Sequence, residues 1–345
     1  MPLTQVSPGL LDTQANAQGF RNRIINGDCR VDQRNNGASV TSGFPVDRWQ
    51  LGLSQSSKLT AQRNAGSVTP PAGFTNYLGI TSSSAYSVTS TDYFFVYQAI
   101  EGFNAADFAW GSANAASVTL SFRVYSSLTG TFGGAIKNGS ANRSYPFSYA
   151  ISSANTWTTI SVTIPGDTSG TWPTDNSAWG YVIFGLGSGS TRLGPAGAWA
   201  GANYDAPTGS VSVVGTNGAT FYITGVQLEK GTAATDFERL DYGRQLIQCQ
   251  RYFEVSEIDK ASVVGCYTLI AYATTETNGI RFAVTKRANP TVTLFNTSGV
   301  SGVIGGNNNA ATAGYIGTNG FGYVARTGNT VGAGYYAHFS ASSEL

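Results

Sequence analysis

Hydrophobic and polar residues alternate in many short stretches of this chain, which is the pattern of β-strands with one buried face. Residues 117–125 carry apolar side chains on one face only, namely Val118, Leu120, Phe122 and Val124. Residues 157–164 alternate in the same way and end at Pro165-Gly166, whereas residues 181–184 are apolar throughout. A continuous apolar run of this length is typical of a strand that is covered on both faces. The pattern therefore predicts a β-protein.

Two local signals add detail to this prediction. Asn217-Gly218 separates two strand-like stretches, 210–216 and 219–228, and this dipeptide favours the type I′ turn of a β-hairpin. Residues 242–253 differ, because their apolar residues recur at helical spacing. We therefore predict one short helix between two sets of strands.

The order of these elements predicts an all-β chain in three parts. Residues 1–22 are an extended arm, because they contain too few apolar side chains to fold alone. Residues 23–240 hold enough short strands for a jelly-roll β-sandwich of two sheets. Residues 241–345 begin with the linking helix and continue as a second, smaller β-sandwich. We expect the arm to dock on a partner through Leu10, Leu11 and Phe20.

Composition narrows the classes of partner. Charged residues make up 11% of the 345 residues, against about 25% in a typical domain, and the net charge is +1. A nearly neutral surface favours self-association, so we expect a homo-oligomer. The chain has no basic excess for binding nucleic acid and no apolar run of about 20 residues for membrane insertion.

The start of the sequence lacks the features of a signal peptide. Three cysteines without a C-x-x-C spacing fit synthesis in a reducing cytoplasm.

Four longer segments of the chain stand out: FRNRIINGDCRVDQRNNG (20–37), IEGFNAADFAWGSA (100–113), NGATFYITGVQLEKGTAATDFERLDYG (217–243) and QCQRYFE (248–254). They resemble segments of structural proteins of tailed phages and prophages, the group called tail-fibre or tail proteins. The segment FYITGVQLEKGTAATDFE within them resembles the closing strand of carbohydrate-binding-module jelly rolls. The resemblance covers most of residues 20–255 and is thinner beyond them.

This resemblance implies a virion protein that is made in the host cytoplasm and assembled into the phage particle. It implies a tail-fibre or tail-associated structural protein, a homotrimer that docks on neighbouring virion proteins and contacts a host-surface glycan during host attachment. A head decoration or collar protein without receptor contact is the alternative. A glycan depolymerase is a third, less favoured candidate.

The sequence offers little catalytic chemistry, so we expect no enzyme. His338 is the one histidine, it lies in a strand-like stretch, and no G-x-S-x-G motif presents a nucleophile. A glycan hydrolase needs two carboxylates about 5–10 Å apart, and Asp167 and Asp175 are the nearest candidates. Their PGDTSG and PTDN contexts favour turn capping instead. We expect no cofactor; a structural calcium ion on Glu229 or Asp28 is an alternative that no motif supports.

Aromatic residues in polar loops are the candidates for glycan contact. Glycine-, proline- and aspartate-rich segments contain Trp172, Trp179, Trp199 and Tyr204. An exposed aromatic ring can stack on the C–H face of a sugar, with neighbouring asparagine or aspartate binding its hydroxyls. The same rings can instead seal the end of a sandwich or a subunit interface. The sequence leaves both interpretations open.

Overall fold

The computed structural model describes residues 20–305 and 309–345. The all-β prediction is confirmed: the described residues form strands, short 3₁₀ turns and one α-helix. Leu10 and Leu11, the predicted anchors of the arm, lie outside the described residues. Phe20, the third anchor, is 39% exposed, and the Arg23 guanidinium lies 4.9 Å from the centre of its ring.

Two five-stranded antiparallel sheets pack face to face and form the first unit, a jelly-roll β-sandwich. One sheet carries a groove on its outer face, described below, and is called the groove sheet. Its strands are, in spatial order, β1 (Gln50–Leu53), β4 (Tyr93–Glu101), β9 (Ala178–Ser188), β6 (Gly130–Asn138) and β7 (Ser144–Ile151). The second sheet contains β2 (Leu59–Arg63), β3 (Leu78–Ser82), β12 (Thr220–Lys230), β5 (Val118–Ser126) and β8 (Thr158–Ile164). A short parallel pair, β10 (Leu193–Gly194) and β11 (Ala206–Pro207), lies beside the groove sheet.

The core of the first unit lies between these sheets and follows the alternation in the sequence. All four apolar residues of β5 named above are buried, while Ser121 and Arg123 point away from the core. Phe122 packs edge-on against Phe184 of the opposite sheet, with 4.9 Å between the ring centres. Each such side chain contributes about 1.5–3 kcal/mol when fully buried, so this shared core holds the two sheets together.

The predicted hairpin around Asn217-Gly218 is wrong in its first half. The turn is present and Gly218 has φ 75°, but residues 210–216 form no strand. The backbone N–H of Val211 bonds to Thr131 O, and that of Val214 to Leu186 O, both in the groove sheet. Strand β12 pairs with β3 and β5 instead. The segment satisfies its backbone through long-range partners, which local alternation cannot identify.

The predicted linking helix is present as α1 (Tyr242–Gln250). It begins where the side chain of Asp241 accepts a hydrogen bond from Arg244 N, a normal N-cap. Cys249 is buried with Ile25 and Val31 of the first unit and with Tyr252. The helix ends at Gln250, earlier than predicted, because Phe253 already starts the next strand.

The second unit is a seven-stranded antiparallel system around its own apolar core. Its strands are β13 (Phe253–Val255), β14 (Tyr267–Ala273), β15 (Glu276–Arg281), β16 (Thr291–Phe295), β17 (Ala311–Gly317), β18 (Gly320–Arg326) and β19 (Gly334–Ser342). Strand β19 is central: its first half pairs with β14 and its second half with β13 and β16. The exact domain limits at residues 22/23 and 240/241 stay a prediction.

A buried ionic cluster joins the two units. Glu344, which follows β19, pairs with Arg48 and with Arg34 of the first unit, the latter at 3.1 Å. The Arg48 guanidinium also lies 3.6 Å from the ring centre of Tyr252. Asp47 completes the cluster at 3.7 Å from Arg34. Asp47 and Arg48 are buried, and the side chains of Arg34 and Glu344 keep only 13% and 8% of their surface, so each charge depends on its neighbours.

We expect Glu344→Gln to lower the free energy of unfolding by about 3–5 kcal/mol, because it leaves Arg48 buried without an anion. Urea denaturation measures this loss. The matched control is Asp241→Asn, which removes an exposed carboxylate paired with Arg244 but keeps a good N-cap. The control should change stability by less than about 1 kcal/mol. Equal effects of the two substitutions would contradict the role of the buried cluster.

Asp47 should make stability pH-dependent. Burial raises the pKa of this carboxyl to about 6, although Arg34 and Gln33 act in the opposite direction. A carboxyl whose pKa is higher in the folded state binds its proton more tightly there. Its contribution to stability is therefore largest at low pH and is lost as pH rises from about 4 to 6. Urea denaturation across this range should show wild type losing stability relative to Asp47→Asn; a constant difference would contradict this assignment.

Candidate functional site

The tryptophans predicted to contact glycan lie in one cluster at an end of the sandwich. Trp172 and Trp179 are 6% and 1% exposed, their ring centres are 4.6 Å apart, and both pack against Trp110. Trp179 belongs to β9 rather than to a loop, which corrects the sequence interpretation. Nε1 of Trp172 donates to Asp167 Oδ2 at 3.3 Å and to Ser169 O at 3.2 Å. This packing matches the alternative in which these rings seal the sandwich.

Trp199 and Tyr204 are half-buried at the edge of this region. Trp199 lies 5.2 Å from Trp110 between ring centres, and its Nε1 donates to Pro165 O. Tyr204 covers Gly194, where a Cβ would stand 2.2 Å from its ring. These two keep part of their surface accessible, and their contact with glycan stays a prediction.

The carboxylates considered for hydrolysis are engaged locally. Asp167 is buried and receives both Nε and Nη2 of Arg143, at 2.9 and 2.5 Å. Asp175 accepts hydrogen bonds from the hydroxyl and the backbone N–H of Ser177, which lower its pKa. Asp167 thus ties its loop to Arg143, 24 residues earlier in the chain, and Asp175 stabilises its own turn.

The calcium candidates and the single histidine also have protein partners. Glu229 accepts hydrogen bonds from Thr235 N, Thr235 Oγ1 and Gln227, while Asp28 pairs with Arg30 at 2.6 Å. In the described part of the chain no group of three metal-binding side chains comes together. His338 is buried in β19, where its ring contacts Ser256 Oγ and Nε2 donates to Ser262 O.

Among the described helices, none has the length and apolarity to span a bilayer.

A groove that was not predicted from the sequence lies on the outer face of the groove sheet. Strand β4 directs Phe94 and Val96 into the core, so Tyr93, Phe95 and Tyr97 lie on its outer face. The ring of Tyr181, on neighbouring β9, continues the row. Successive ring centres from Tyr93 to Tyr181 are 5.5, 5.5 and 5.7 Å apart. The four rings form a continuous, partly exposed aromatic surface, which we call the aromatic row.

A glycine in the neighbouring strand makes room for the Phe95 ring of the row. Gly52 lies opposite Phe95 in β1, and a Cβ there would stand 2.1 Å from the Phe95 ring. Only glycine therefore lets this ring lie across the neighbouring strand. The groove has a volume of about 470 Å³, and Leu345 lines it together with the aromatic row.

Polar side chains line the groove beside the rings. Lys137 Nζ donates to Asn203 Oδ1 at 2.6 Å and pairs with buried Asp205. Burial lowers the pKa of Lys137, although Asp205 opposes this effect. The Arg192 guanidinium lies 4.8 Å from the ring centre of Tyr93. The groove thus combines flat apolar faces with amide, ammonium and guanidinium donors.

Tyr97 is held in place within the row. Its hydroxyl donates to Gln50 Oε1 at 2.6 Å, and burial raises its pKa to about 12. A ring fixed in this way presents its face without losing further side-chain freedom on binding. The sequence signal for this surface was the alternation of tyrosine with Phe94 and Val96. Residues 93–97 are all apolar or aromatic, however, so the sequence alone does not show which of them face outward.

Comparison with known proteins adds structural likeness only. No family model matches the sequence, and no curated protein matches it. The family 11 carbohydrate-binding module of the Clostridium thermocellum cellulase Lic26A-Cel5E is similar, with 13% identity and TM-score 0.29 over 58% of this chain and 98% of that one. The N-terminal cellulose-binding domain of Cellulomonas fimi β-1,4-glucanase C has 15% identity and TM-score 0.25 over 58% and 99%. At these values the likeness assigns neither a ligand nor a family.

Proposed function

We propose that this chain is a glycan-binding structural protein of a tailed-phage particle and that the groove holds the glycan. The observation that carries the proposal is the aromatic row of Tyr93, Phe95, Tyr97 and Tyr181 on the outer face of the groove sheet, with polar side chains beside it. Ligand sites typically combine apolar aromatic walls with a few placed polar groups, and this groove has that composition.

The geometry favours an extended saccharide over a single sugar. The rings follow one strand and continue onto its neighbour, so successive sugars can each meet a ring with their C–H face. The side chains of Gln50, Asn203 and Arg192 line the same groove and can bond the hydroxyls at the sugar edges. Uncharged stacking and hydroxyl binding suit a chain whose net charge is only +1.

The place in the virion is supported by the sequence resemblance of residues 20–37 and 217–243 to phage tail proteins. We propose a tail-fibre or tail-associated protein that assembles as a homotrimer and binds host glycan without cleaving it. A head decoration or collar protein is the second candidate, and it requires no glycan in the groove. Glycan binding therefore separates the two.

We expect Phe95→Ala and Tyr97→Ala each to weaken binding of a bacterial envelope polysaccharide at least tenfold, because each removes a stacking surface. Binding is measured by biolayer interferometry on a panel of such polysaccharides. The matched controls are Phe103→Ala and Tyr242→Ala, which remove exposed rings of the same types outside the groove. Equal binding by groove and control variants, or no binding by wild type, would contradict the groove as a glycan site.

We expect light scattering on the purified chain at micromolar concentration to give three times the single-chain mass. The expectation follows from the low surface charge and from the resemblance to fibre proteins. A stable monomer would contradict the trimer and leave the glycan experiment unaffected.

A further inference from the structure

Three neighbouring strands of the second unit bend at the same level. In β15 both Thr277 and Ile280 are buried, three residues apart, although alternation would place them on opposite faces. Phe321 and Val324 in β18 show the same shift. Gly279 of β15 lies at the bend, where a Cβ would stand only 1.9 Å from Phe321 O. The bend therefore requires glycine at this position.

Tyr315 occupies the bend in the third strand, β17, and is strained. Its φ of 53° lies in the left-handed region, which a bulky residue in a strand seldom adopts. The side chain is 87% exposed, and its ring lies beside Gly322 and 5.1 Å from the ring centre of Tyr323. Strained residues of this kind concentrate at ligand sites. Glycine would satisfy the backbone here, so the aromatic side chain calls for a separate explanation.

A groove of about 580 Å³ lies next to Tyr315, and its lining is rich in glycine. It contains Gly279, Gly317, Gly320 and Gly322, together with Arg281, Thr318 and Asn319. At Gly317 the missing Cβ faces open space, with Gly320 O at 4.0 Å as the nearest atom, so a ligand can approach the backbone closely there. The tight turn between β17 and β18 supplies Thr318 and Asn319 from a fixed position.

The polar groups of this groove are available for a ligand. Arg281 is exposed and pairs with no carboxylate in the described ranges 20–305 and 309–345. Asn319 Oδ1 accepts from Thr285 Oγ1 at 2.7 Å, which orients its amide with Nδ2 as a remaining donor. The groove thus offers one uncompensated guanidinium, one amide donor and one exposed ring.

We propose that this groove binds a carboxylate-bearing saccharide, such as a uronic acid unit of a bacterial polysaccharide. Tyr315 stacks on the C–H face of the sugar, Arg281 binds the carboxylate through two parallel hydrogen bonds, and Asn319 donates to a hydroxyl. One guanidinium matches one carboxylate, whereas a nucleic acid would need several cations along its backbone. The site lies in the second unit and does not depend on the groove of the first unit.

The test measures binding of the full chain to a panel of uronate-containing bacterial polysaccharides, each beside its carboxyl-reduced form. Four variants are compared with wild type. Tyr315→Asn removes the ring, and asparagine tolerates a positive φ. Arg281→Gln removes the charge, Arg281→Lys keeps it without the bidentate geometry, and Phe95→Ala disables the other groove. Melting temperature verifies that each variant is folded.

We expect wild type to bind at least one acidic polysaccharide, and to bind its reduced form at least tenfold more weakly. Tyr315→Asn and Arg281→Gln should each weaken acidic binding at least tenfold, with Arg281→Lys between wild type and Arg281→Gln. Phe95→Ala should retain carboxylate-dependent binding. The inference is overturned if no acidic member binds, if carboxyl reduction changes nothing, or if Phe95→Ala alone abolishes binding. Loss of binding in Phe95→Ala alone would still support glycan binding in the groove of the first unit. The experiment therefore distinguishes failure of the second-unit site from failure of the first-unit site.

Discussion

The shared carboxylate of Glu344 is the constraint on which the arrangement of the two units depends. Arg48 is buried in the first unit and cannot stay charged away from water without a nearby anion. That anion comes from the second unit, immediately after β19, and it also pairs with Arg34, which has Asp47 of the first unit as a second partner. Docking of the two units therefore supplies the partner of the Arg48 charge. Because Leu345 follows Glu344 and lines the aromatic groove, the same contact places a residue of the second unit in the candidate site.

The chain contains few charged residues, and several of them form buried ion pairs. Examples are Lys286 with Glu254 in the second unit and Lys137 with Asp205 beside the groove. These pairs hold loops and strands in register and add nothing to the surface potential. With a net charge of only +1, the chain generates little long-range electrostatic attraction, so short-range contacts determine which ligand binds.

Sequence periodicity predicted the features that depend on near neighbours. The buried face of β5, the N-terminal part of α1 and the all-β class follow from alternation, helical spacing and turn residues. The strand proposed for residues 210–216 failed because Val211 and Val214 bond to distant strands. The aromatic row was missed for a related reason. Tyr93, Phe95 and Tyr97 alternate along β4 with core residues that are also apolar, so the sequence does not distinguish the two faces. Tyr181 joins the row from β9, a partner strand distant in sequence. Trp179 was misplaced because its glycine neighbour suggested a loop.

The tryptophan cluster has a consequence for spectroscopy. All six tryptophans of the chain lie between residues 49 and 199, and four of them pack together at one end of the first unit. At ring separations near 5 Å they exchange excitation energy, so they emit as a group. Intrinsic tryptophan fluorescence therefore reports mainly on the first unit. A thermal transition of the second unit alone would be visible to calorimetry or tyrosine absorbance while the emission of the four clustered tryptophans stayed nearly constant.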